Sequence, residues 1–158
     1  MTRVAAVIPN SSGSVALIER RRAGELYYVF PGGGVDEGES VTDALVREVQ
    51  EELGLLVMPE RLLAEADHLG EHQYYYLARV LSGEFGTGVG DEMLGLAPLE
   101  RGSYLPMWIR YEELGNLRGW PLQLFQLISH VPTVGWPQSP VKIEESPASP
   151  DTKDIRAG

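Results

Sequence analysis

The chain has 158 residues, 43% of them apolar, no cysteine and a formal net charge of −10. This is enough apolar content for one cored domain with a tail. The absence of cysteine excludes disulfides, thiolate metal ligands and a cysteine nucleophile, and the acidic balance argues against a nucleic-acid polymer as partner, because gripping a phosphate backbone takes basic surface. No apolar run approaches the ~18 residues of a membrane-spanning helix. The short apolar stretch at the start has no small-residue cleavage site behind it, so a cytoplasmic chain with no membrane partner is expected.

Residues 3–8 read as a buried strand, 9–14 as a turn rich in Asn, Ser and Gly, and 15–20 as a second strand, together a hairpin. Arg20, Arg21 and Arg22 follow. They read either as a solvated charge run or, through Arg20 or Arg22, as a phosphate contact beside the glycine loop downstream. Residues 26–30 make a short strand with Tyr27 and Tyr28 on opposite faces. It feeds Pro31-Gly32-Gly33-Gly34, where the missing side chains let the backbone come close to another group. Ser40 precedes an apolar-periodic run and Asp43 stands three residues later, which resembles a capping box. Gly54 suits the left-handed residue that closes a helix. The helix is therefore predicted over 41–53.

At 100° per residue, Leu45, Val46, Val49 and Leu53 fall on one arc of that helix, and Glu48, Glu51 and Glu52 fall on a neighbouring arc about 100° wide. The carboxylates repel one another, Glu48 and Glu52 as an i, i+4 pair. A glutamate-rich solvated face is the bland reading of such a cluster; the glycine loop at fixed spacing weighs against it. A hard divalent cation would remove the repulsion, and an all-oxygen site selects Mg2+ or Mn2+.

Written as a pattern, the stretch is Gly33, five residues, Glu39, seven residues, then Arg47-Glu48-Val49-Gln50-Glu51-Glu52-Leu53-Gly54-Leu55. Every constrained position of the Nudix box, G-x5-E-x7-R-E-U-x-E-E-x-G-U with U aliphatic, is filled, so the chain resembles a Nudix hydrolase; weaker resemblance extends over about 3–130. The resemblance implies an α/β (α+β) fold, the Nudix-type α/β/α sandwich with a mixed β-sheet. It implies a metal held by Glu48, Glu51, Glu52 and the main-chain carbonyl of Gly32, with substrate beside Gly33 and Gly34. Arg47 would orient a carboxylate and Glu39 would support the loop.

Past the helix, 55–58 and 62–67 read as strand segments around a turn at Pro59, and 72–81 as a strong strand holding Tyr74, Tyr75 and Tyr76. His68 and His72 read as surface or supporting residues. Residues 82–99 are glycine-rich and contain Glu84, Asp91 and Glu92, in the kind of long loop that often carries function. The resemblance implies that a further carboxylate from this region joins the metal site or acts as base, with Glu92 the first choice ahead of Asp91 and Glu84. Residues 104–110 read as the last strand, 111–114 as a short turn, and 120–131 as a closing helix with Pro121 in its first turn. From 132 onward Pro and Ser accumulate, which divides the chain into a domain, 1–132, and a disordered or loosely packed tail, 133–158.

The reaction implied by the resemblance is hydrolysis of a phosphoanhydride in a nucleoside diphosphate linked to another moiety, by water attack on phosphorus. Glu48, Glu51, Glu52, Arg47 and Glu92 form the catalytic set, and the base stays open among the glutamates. The default substrate is a small-molecule (deoxy)nucleoside triphosphate, handled by a monomer or homodimer. Tyr74, with Tyr76 and Phe85, is a candidate for stacking on its base. Dinucleoside polyphosphate, ADP-ribose and nucleotide sugars are alternatives. The proline that marks the ADP-ribose subgroup is replaced here by Gly70-Glu71, and the tyrosine of the dinucleoside polyphosphate subgroup falls at His72-Gln73, just short of Tyr74. A non-catalytic nucleotide-binding regulatory Nudix domain is the rival of another class, and the complete box weighs against it.

Overall fold

In the computed structural model, which describes residues 1–68 and 70–144, strand alternation decides the architecture. One mixed sheet contains β1 (Thr2–Val7), β4 (Gly32–Gly34), β5 (Leu55–His68), β6 (Glu71–Gly83) and β9 (Val141–Ile143), in the order β4-β1-β6-β5-β9. A second contains β2 (Ser14–Arg22), β3 (Glu25–Val29), β7 (Ser103–Arg110) and β8 (Gly119–Trp120), in the order β7-β2-β3-β8. Successive side chains point to opposite faces. Val4, Ala6, Ala16, Ile18 and Ala78 therefore pack on Ala44, Leu45, Val49 and Leu53 of α1 (Val41–Leu53). Val7, Val15, Leu17, Tyr75, Leu77 and Ile109 leave by the other face and pack on Leu124, Phe125 and Ile128 of α2 (Leu122–Ser129). The result is the α/β/α sandwich with mixed strand directions, divided between two sheets. Among the described residues no helix is long and apolar enough to cross a membrane.

Four features depart from the sequence reading. The predicted hairpin over 3–20 does not form. Its turn does close, with Asn10 Oδ1 accepting the N–H groups of Ser12 and Ser14 at 3.0 Å each and a bridge between Pro9 and Val15. Beyond the turn β1 is paired on both edges, by β4 and β6, which leaves no edge for β2. Pro59 does not turn the chain either: β5 runs on through it, with irregular register between Pro59 and Arg61 absorbing the missing donor.

Ser103–Arg110 is not the last strand, since β8 and β9 follow. The predicted closing helix is shorter, with Pro121 as its N-cap, and a brief α3 (Val131–Val134) comes after it. The structure also carries packed chain beyond 132. The Trp136 ring meets Tyr111 at 6.2 Å, the Pro137 carbonyl accepts from Arg61, and β9 buries Ile143. Two apolar residues in alternation among prolines and serines are too short a signal to read as a strand. Residues 145–158 of the predicted tail, and the side chain of His68, lie outside the described residues.

Candidate functional site

α1 begins and ends as its caps dictate. Ser40 Oγ accepts from the Asp43 N–H at 3.1 Å, and Gly54, at φ 75°, donates its N–H to the Gln50 carbonyl. The glycine loop is laid against β1 in register, with Gly32 opposite Ala5, Gly33 opposite Val4 and Gly34 opposite Arg3. The Ala6 N–H holds the Pro31 carbonyl at 2.8 Å. Helix and loop meet through two glutamates. The Gly32 N–H donates to Glu52 Oε1 at 2.6 Å. At Gly33 a Cβ would lie 2.5 Å from the Glu48 carboxyl carbon, so this position has to be bare for the Glu48 carboxylate to lie on the backbone.

Arg47 ties the cluster together. Its Nε and Nη2 each donate at 2.9 Å to an oxygen of Glu39, a bidentate pair. Nη1 donates to Glu48 Oε1 at 2.9 Å and Nη2 to the Gly34 carbonyl at 3.1 Å. One guanidinium thus joins the end of the glycine loop, Glu39 and a helix glutamate. Hydrogen bonding from Arg47 brings Glu39 down to about 2.

The inner glutamates move the other way. Glu52 is 7% exposed; burial first, then the charge of Glu48, pushes its carboxyl well above the usual range, against the pull of the Gly32 N–H. Glu48 is also raised, by burial first, with Arg47 opposing and Glu51 and Glu92 adding to the rise. Glu51 stands at the more open side, its side chain 42% exposed.

Glu92 arrives on the glycine-rich loop, which covers the C-terminal carbonyls of α1. The Gly86 N–H donates to the Leu53 carbonyl at 3.0 Å and the Gly90 N–H to the Glu51 carbonyl at 2.8 Å. A Cβ on Gly88 would run into the Glu51 carbonyl at 2.5 Å. The charge of Glu92 is felt by both Glu48 and Glu52. Glu84 and Asp91 are exposed. The sequence reading does not single out Gly88 and Gly90; the glycine-rich composition of 82–99 is the available signal.

Arg20 and Arg22 do not reach the glycine loop. Across β2–β3, Arg20 faces Tyr27 and Arg22 faces Glu25, at the end of the ladder away from Pro31. Arg20 is 2% exposed, its Nε donates to the Ser103 carbonyl at 3.3 Å and its Nη2 to the Arg101 carbonyl, and its guanidinium lies 3.8 Å from the Tyr104 ring centre. Arg22 Nε donates to the Glu100 carbonyl at 2.5 Å. Both arginines fasten the far end of the glycine-rich loop. Tyr74 lies in the row Gly33–Val4–Tyr74–Glu65 across the sheet, its ring 4.4 Å from that of His72. Phe85 stacks on Trp108 at 4.7 Å.

Oxygen donors are thus gathered at one end of α1, although among the described residues no three His, Cys, Asp or Glu side chains are already drawn around one point. The arrangement can hold a hard cation and place carboxylates beside it. Comparison with known proteins reaches the same region. A family model described as the NUDIX domain matches residues 1–130. An RNA pyrophosphohydrolase from Photobacterium profundum is 45% identical over 65 residues, which are 41% of this chain and 36% of that one. The match thus spans only about a third of that relative's length. An RNA pyrophosphohydrolase from Halorhodospira halophila is 28% identical over 129 residues, covering 70% of this chain and 69% of that one. Among solved structures, an ADP-ribose pyrophosphatase from Streptococcus suis superposes with a TM-score of 0.61 at 21% identity, covering 90% of this chain and 98% of that one, a likeness of fold.

Proposed function

This chain belongs to the NUDIX domain family, and from that premise we propose that it is a divalent-cation-dependent hydrolase of (deoxy)nucleoside triphosphates, cutting a phosphoanhydride by water attack on phosphorus. The observation that carries the reading is the pair Glu48 and Glu52. Both are buried against a bare glycine backbone, and burial together with mutual repulsion raises the proton affinity of each. Arg3 contributes least of the charges that act on Glu52. Carboxylates kept so close with so little opposing charge fit a hard cation. Glu48, Glu51 and Glu52 would hold Mg2+ or Mn2+, together with the Gly32 carbonyl. Such an ion, when bound, neutralises phosphate charge and acidifies water.

The remaining work falls to the chain's own groups. Arg47 fixes Glu48 and Glu39, so the glutamate geometry does not depend on side-chain freedom. Gly33 and Gly34 let phosphate oxygens approach the backbone. Glu48, Glu51, Glu52 or Glu92 takes the proton as water attacks. The names of the two relatives favour a second reading, removal of pyrophosphate from RNA; the net charge of −10 favours small nucleotides.

The test is a hydrolysis panel with Mg2+ and with Mn2+. It holds normal and oxidised nucleoside triphosphates, ADP-ribose, dinucleoside polyphosphates, nucleotide sugars and 5′-triphosphorylated RNA, with products separated by chromatography. A triphosphate should be preferred, and Glu52→Gln should lower its turnover by about 10²–10⁴-fold. A variant keeping more than half of normal activity would contradict the role given to Glu52.

A further inference from the structure

β8 ends on Trp120, whose indole Nε1 is buried and has no hydrogen-bond partner among the described residues. Buried donors in folded proteins are nearly always paired, so an orphan needs a reason. Its position supplies one. At the preceding Gly119 a Cβ would strike the Phe125 ring, with Cγ at 2.5 Å, so that position faces α2. By strand alternation Trp120 faces the other way, toward the α1 side. The pairing agrees: Trp120 lies opposite Val29, which packs with the α1 cluster. From Val29 the chain runs through Phe30 and Pro31 to Gly32, whose N–H holds Glu52. Three extended residues cover about 10 Å, a separation that one nucleotide bridges.

We propose that Trp120 is the specificity-determining residue for the base, its indole N–H donating to a carbonyl oxygen of the nucleobase while the phosphates lie at the glutamates. This rests on the nucleotide reading above. Indole is a donor only. Guanine offers O6 and N7 as adjacent acceptors, whereas adenine sets an amino group beside N7 and would bring donor against donor. A site built to complete a hydrogen bond discriminates strongly against a base that cannot, because its own polar group then stays unpaired.

The experiment is calorimetric titration, with Mg2+, of the non-hydrolysable α,β-imido analogues of GTP and ATP and of inorganic tripolyphosphate into the unmutated protein and Trp120→Phe. The variant keeps an aromatic ring and removes the N–H. The unmutated protein should bind the GTP analogue about tenfold more tightly than the ATP analogue, and the variant should bind the two alike. Tripolyphosphate should bind both proteins equally. An unchanged preference in the variant overturns the assignment, and so does an equal loss of tripolyphosphate, which would put the N–H on phosphate. If Trp120→Phe does not fold, the unmutated protein decides. The inosine analogue, which keeps the carbonyl, should match the GTP analogue, and the 2-aminopurine analogue, which lacks it, should match the ATP analogue; the reverse overturns the assignment. Binding of no nucleotide by the unmutated protein overturns the nucleotide reading itself, so the two failures are told apart by which protein shows them.

Discussion

At Gly33 there is no room for one methyl group. A Cβ there would stand 2.5 Å from both Cδ and Oε1 of Glu48, and that carboxylate is fixed by Arg47. Gly33→Ala must therefore push Glu48 away from the guanidinium or the loop away from the helix. The expected cost is about 1–3 kcal/mol in chemical denaturation, the usual range for overpacking. A drop of about tenfold in Mn2+ affinity should accompany it, since misplaced ligands bind metals poorly. Titration calorimetry checks the second figure, and an alanine variant with unchanged Mn2+ affinity would detach Gly33 from the site. This residue is legible in the sequence because its partner lies on the next helix, at a spacing fixed by the loop and the turns of α1. Arg20 is not legible in the same way. Whether an arginine beside a strand reaches a glycine loop or folds back on distant carbonyls depends on the β2–β3 register and on a segment some eighty residues downstream.

The glycine-rich loop is an element fastened at both ends. One end gives N–H groups from Gly86 and Gly90 to the carbonyls at the close of α1; the other is held by Arg20 and Arg22 at the carbonyls of Glu100, Arg101 and Ser103. A cation over the Tyr104 ring adds to the second anchor. Arg20→Met would leave buried carbonyls without a donor, at a cost of about 2–3 kcal/mol. It should raise amide exchange at residues 93–96 by at least an order of magnitude while the middle of α1 stays protected. Exchange that is unchanged in the loop would show that Arg20 does not anchor it. The same contrast separates the elements that could be read in advance. α1 carries its own start at Ser40 and its own stop at Gly54, so local chemistry suffices. The separation of β1 from β2, the continuity of β5 through Pro59, and the docking of β9 all depend on which edges remain unpaired once the sheets assemble.

For the whole molecule, the sandwich concentrates negative charge that folding alone does not favour. Glu48 and Glu52 bind protons more firmly in the folded chain than their ordinary range, so the stability they allow is complete below that range and is lost as pH rises through their raised values. Glu39 works in the opposite direction: lowered from 4.5 to about 2, it contributes above its ordinary value, and the contribution is lost as pH falls toward 2. The metal-free protein should therefore be most stable near the ordinary carboxylate range and weaken toward neutral pH, where a divalent cation takes over the task of the protons. Glu52→Gln keeps an acceptor for the Gly32 N–H and removes the buried charge. The most direct test of the account is the melting temperature of the unmutated protein and of Glu52→Gln, at neutral pH and at pH 5, in EDTA and in Mn2+. In EDTA at neutral pH the variant should melt several degrees above the unmutated protein, with the gap closing at pH 5, and Mn2+ should raise the unmutated protein alone. A variant that melts at or below the unmutated protein in EDTA at neutral pH, or that gains as much from Mn2+, would contradict the claim that these glutamates are assembled for a metal ion.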